Sequence, residues 1–70
     1  MMLQAELPAD IRESQLAFAE RATFLQLHNA MRQHERHGIY CPFPNAQDRL
    51  IAELLRGVLF RRFPLKGCAA

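Results

Sequence analysis

The sequence predicts an all-α chain folded as a two-helix antiparallel hairpin, from three observations. Glycines and prolines gather at Gly38 to Pro44 and at Pro64 to Gly67, with Pro8 near the start, and these marks bracket two helix-length stretches. Within each stretch apolar residues recur at three- and four-residue spacing. Alternation of period two is absent and β-branched residues are few, so no sheet is expected.

The first helix is predicted over about 10–37. Asp10 reads as an N-cap, with Glu13 three positions on as the carboxylate form of a capping box. No glycine or proline interrupts Ile11 to His37. Gly38 suits the left-handed position that ends a helix, and the residue before Pro42 is steered out of helical geometry. The span is roughly 27 residues, about 40 Å at 1.5 Å per residue. An elbow over 38–44 follows, stiffened by Pro42 and Pro44; it either packs Tyr40 and Phe43 over the end of the hairpin or offers them to a partner. The second helix is predicted over about 45–63, with Asn45 as N-cap and Asp48 in the first turn, where the helix dipole favours a carboxylate. Arg61 and Arg62 fall in the last turn, Pro64 forbids continuation, and 64–70 reads as a tail. Residues 1–70 form one domain without repeats.

The two helices differ in how their apolar residues are spread. In the second, Leu50, Ile51, Leu54, Leu55 and Val58 share an arc of roughly 140°, with Arg49, Glu53 and Arg56 opposite. In the first, Ile11, Phe18, Ala22 and Leu25 gather on one side, while Leu16, Phe24, Leu27 and Met31 gather on nearly the other. One short antiparallel partner cannot cover both. Leaving four such side chains wet would forfeit about 1.5 to 3 kcal/mol each. A domain this small buries only about 60% of its unfolded surface and has little stability to spare. The expected answer is a homodimer of two hairpins, a four-helix bundle, with Leu16, Phe24, Leu27 and Met31 in the interface beside Tyr40 and Phe43. The alternatives are an N-terminal segment that folds back Leu3 and Leu7 over the second stripe, and a stripe reserved for a different protein.

Composition narrows the function classes. The longest apolar runs fall far short of the ~20 residues of a membrane span. Met1 to Asp10 carries acids but no basic segment leading into a long apolar stretch, so a cytoplasmic location with Cys41 and Cys68 reduced is expected. Net charge is +2, unevenly placed: residues 1–30 hold four acids and two bases, residues 31–70 three acids and seven bases.

Three constellations could carry chemistry. His34 and His37 lie three apart on a helix face with Cys41 just beyond, which resembles a partial zinc ligand set, but a fourth ligand is missing and the histidines also suit a solvated helix C-terminus. No metal or cofactor is expected. Cys41 with His37 would need an orienting group, oxyanion donors and a pocket to act as a nucleophile pair, and two helices offer no such concavity. No enzyme is expected. Arg56, Arg61, Arg62 and Lys66, interleaved with Phe60 and Phe63, could contact phosphates and stack on unpaired bases. The net charge is low for a dedicated nucleic-acid binder.

Cys41-Pro42-Phe43, Arg49 and Gly57 resemble the Cys-Pro-aromatic, Arg and Gly pattern of ribosome modulation factors, small two-helix proteins that bind the ribosome. The resemblance covers less than a third of the chain. This sequence has no Trp, a different glycine spacing and no strongly basic N-terminal half, so no functional residue is carried over. The function expected is therefore a small non-enzymatic regulatory or adaptor protein acting through protein contacts, with itself and another protein as partners. The alternative is a nucleic-acid-binding regulator that uses the C-terminal arginines.

Overall fold

A computed structural model of the chain describes residues 7–64. These are all-helical, as expected, but the helices number three: α1 (Ala9–Arg21), α2 (Phe24–Gly38) and α3 (Ala46–Arg62). The long first helix predicted over 10–37 is broken at Ala22 and Thr23, both extended, so the two-helix hairpin is corrected to a three-helix arrangement.

The break has a local cause and a tertiary one. Thr23 N-caps α2 in a reciprocal box: the Gln26 N–H donates to Thr23 Oγ1 at 3.1 Å, and the Thr23 N–H donates to Gln26 Oε1 at 3.0 Å. The pattern Thr-x-x-Gln before an apolar run was visible in the sequence and marks a helix start. From α3, the Arg62 guanidinium donates to the main-chain oxygens of Ala19 and Ala22, the latter at 2.8 Å. A cation there satisfies carbonyls that the helix leaves without partners and sits well in its dipole. We expect Thr23→Ala to destabilise the fold by about 1 kcal/mol and Thr23→Ser to recover most of that, read from urea unfolding midpoints.

Turning the chain at this point brings parts of both stripes to one core, while Phe24 stays 49% and Leu25 64% exposed. Ala22, Leu27 and Met31 join Ala19, Ile51, Leu55, Val58 and Leu59 in one buried cluster, and Leu7, Ile11, Leu16 and Phe18 pack partly buried against it. Residues from both expected flanks thus meet the same core within a single chain. Leu27 and Met31, expected in a dimer interface, are core residues of one chain, and Leu16 lies half-buried against that core. Leu7 packs partly buried against that core, and Leu3, the other residue of the expected fold-back, lies outside the described residues.

α3 packs against both other helices, and chiefly against α2. Its buried residues, Ile51, Ala52, Leu55, Val58 and Leu59, line one side, with Leu50 and Leu54 half-buried at the margins. Asn45 caps it as expected, accepting from the N–H groups of Gln47 and Asp48. α1 begins one residue before Asp10, with Pro8 at the capping position and no side-chain cap, so the expected Asp10 cap is replaced by an acid in the first turn. Gly38 also plays a different part from the one expected. Its backbone is not left-handed; a Cβ built on it would lie 2.3 Å from the Arg49 main-chain nitrogen, so it permits α2 and α3 to cross closely. Among the described residues no helix is long and apolar enough to cross a membrane.

Candidate interaction surface

The residues with candidate chemistry fall into three places. At the junction of α2 and α3, His34 and Asp48 join the helices, with Nδ1 to Oδ1 at 2.8 Å. The Cys41 thiol donates to the His37 main-chain oxygen at 3.2 Å. That oxygen also accepts from the Asn45 N–H at 3.0 Å, which closes the elbow on the end of α2. His34, His37 and Cys41 therefore do not converge: among the described residues no group of three or more His, Cys, Asp or Glu is placed to hold a metal ion. The thiol's hydrogen-bond partner is thus a carbonyl, which cannot serve as a general base.

The arginines expected to grip nucleic acid are engaged inside the chain. Arg56 donates to Glu35 across α2 and α3, Arg61 pairs with Glu20 of α1, and Arg62 holds the end of α1. Arg56 thus leaves Glu53, the neighbour on its own helix, which pairs with Arg49 at 3.5 Å instead. Lys66 lies outside the described residues. Arg62 also lies 4.9 Å over the Phe63 ring, and Phe63 meets Phe24 edge to face at 5.4 Å. Phe24 stacks on His28 one turn along α2, so its half-exposed ring already has intramolecular company.

The third place is the elbow with the adjoining turns of α2. Tyr40 is 68% exposed and Phe43 90% exposed, so neither packs over the end of the hairpin. Ile39 stands partly exposed beside them. Next to Tyr40 is a small concavity of about 260 Å³, lined by Arg32, Glu35, Arg36 and Tyr40. Glu35 is buried at 4% exposure, with one carboxylate oxygen 2.5 Å from the Arg56 guanidinium and the other 3.9 Å from that of Arg32. Its main-chain oxygen accepts from the N–H groups of both Ile39 and Tyr40, which seats the elbow directly after the helix. Two guanidiniums, those of Arg56 and Arg32, therefore approach one carboxylate, and Arg36 lines the same concavity, leaving positive charge in excess. Residues 32 and 36 are spaced by four within α2, a one-face signal legible in the sequence, and the turn after the helix brings Tyr40 to the same concavity.

A larger, more open hollow of about 610 Å³ lies between α1 and α2, where Phe18, Ala22 and Ala30 meet the amides of Gln26 and Asn29. Compared with protein families, curated proteins and solved structures, the chain matches none.

Proposed function

We propose that this chain is a small non-enzymatic regulatory or adaptor protein that works through contact with another protein. The observation that carries this reading is the elbow. A core already closed within one chain leaves Tyr40 and Phe43 standing clear of a backbone held by Pro42, Pro44 and the turn bonds to Glu35 and His37. Rings presented on a preordered segment are favourable binding anchors, because ordering them costs little when a partner arrives and each buried ring contributes about 1.5 to 3 kcal/mol. Cys41, a free thiol among the described residues, fits a reducing cytoplasm.

The homodimer has less support than the sequence suggests, since most of both stripes contributes to one intrachain core and only Phe24 and Leu25 of them stay exposed. The nucleic-acid alternative likewise loses ground, because Arg56, Arg61 and Arg62 are each committed within the chain.

A Tyr40→Ser, Phe43→Ser double variant tests the reading. Its unfolding midpoint should match wild type within about 0.5 kcal/mol, as for exposed surface changes. Affinity capture from the native cell after nuclease treatment should recover a protein with the wild-type chain and lose it with the variant. Equal capture by both chains, or capture abolished by nuclease, overturns the proposal.

A further inference from the structure

We propose that the concavity lined by Arg32, Glu35, Arg36 and Tyr40 receives, at its two arginines, a carboxylate side chain from an acidic, partly apolar segment of the partner protein. This rests on the interaction reading above and names the chemistry of what is bound. Arg32 and Arg36 sit one turn apart on α2, a like-charge pair that weakens an isolated helix by a few tenths of a kcal/mol. Glu35 relieves that repulsion only in part. One of its oxygens is held by Arg56 at 2.5 Å, and the 3.9 Å to Arg32 exceeds hydrogen-bond length. Arg32 is therefore attracted but not bonded, and Arg36 has no carboxylate partner among the described residues. Their planar forks are suited to paired hydrogen bonds to a carboxylate, with the exposed Tyr40 ring at the same hollow to cover the apolar part of the incoming chain.

Charge complementarity selects the occupant. An incoming carboxylate meets two guanidiniums with unused donors, while a basic segment would be repelled. A nucleic acid is disfavoured because affinity for it grows with the number of phosphates neutralised, and Arg36 with a partly engaged Arg32 beside a buried glutamate neutralise few. The exposed Ile39, Tyr40 and Phe43 call instead for apolar side chains interleaved with the acids.

The test is an NMR titration of the full ¹⁵N-labelled chain with a synthetic peptide that alternates glutamate with leucine and phenylalanine. The same peptide with glutamine for glutamate and a single-stranded oligouridylate serve as competing probes. The acidic peptide should shift the signals of Arg32, Arg36 and Tyr40. The glutamine peptide should bind at least about fivefold more weakly, and Arg36→Gln should weaken the acidic peptide by a similar factor while Arg12→Gln does not. Absence of acidic-peptide binding, equal binding of the glutamine peptide, stronger shifts of these residues by the RNA, or the same shifts on concentrating the chain alone would each overturn the proposal; the last would assign the site to a second copy. If Arg36→Gln leaves cellular capture intact while the Tyr40, Phe43 double variant loses it, this site falls and the interaction reading stands.

Discussion

Gly38→Ala is expected to destabilise the fold by about 3 kcal/mol, while Gly57→Ala, the same change 19 positions on, is expected to stabilise it by about 0.8 to 1 kcal/mol. The opposite signs follow from what each new methyl group meets. At Gly38 it would lie 2.3 Å from the Arg49 nitrogen and 2.7 Å from the Arg49 Cα and the Asp48 carbonyl carbon, all main-chain atoms that cannot swing aside. The end of α2 must then move off α3, stretching the His34 to Asp48 contact and the bond from Asn45 to the His37 oxygen. Overpacking ordinarily costs 1 to 3 kcal/mol, and a rigid obstacle puts this case at the upper end. Gly57, exposed within α3, has nothing within 4 Å of its built Cβ, so alanine there only removes the entropic cost of glycine in a helix. Urea unfolding of both variants checks the pair. A neutral Gly38→Ala would mean that α2 and α3 do not approach this closely.

How far the sequence discloses this fold depends on whether the decisive interactions are local. Asn45, the arginines at 61 and 62 and Pro64 act within a few residues of the helix ends they set, and α3 runs over Ala46–Arg62 where 45–63 is predicted. The Thr23 to Gln26 box is equally local and equally visible, yet an unbroken stretch free of glycine and proline reads as one helix unless caps are sought inside it. Missing it sends the two apolar flanks to opposite sides of a rod, and the expected dimer follows from that geometry. The role of Gly38 was not accessible in this way, because the clash depends on Arg49 reaching it through the tertiary fold.

The candidate site divides along the same line. Exposure of Tyr40 and Phe43 is compatible with the sequence, where a stiff elbow either packs its rings or presents them; only the packing of neighbouring elements decides between those. Arg56, Arg61 and Arg62 look like a free basic cluster along the chain because their acceptors, Glu35, Glu20 and the carbonyls at the end of α1, lie 21 to 43 residues away. Such pairings leave no periodic trace. Arg36 and the weakly held Arg32 stand out beside the elbow only once those distant partners have been assigned.

Arg56→Ala is expected to destabilise the fold by about 2 kcal/mol, because it removes the partner of a carboxylate that the fold keeps from water. Glu35 is 4% exposed and would retain only the 3.9 Å approach of Arg32. Breaking a buried ion pair from one side costs about 3 to 5 kcal/mol, but the Arg56 side chain is 47% exposed, so water reaches the pair and screening lowers the figure. Replacing both members by leucine leaves no charge unpaired and should recover most of the loss, a contrast readable in a double-mutant cycle from urea midpoints. The same pair sets the charge available in the adjoining hollow. With Arg56 gone, Glu35 draws Arg32 to itself, and the acidic peptide should bind more weakly although no residue lining the hollow has changed. Glu35→Gln acts in the opposite direction, releasing Arg32 and Arg56 together and tightening that binding while it costs stability. A structural pair unrelated to the hollow would move the unfolding midpoints and leave both peptide affinities where they were.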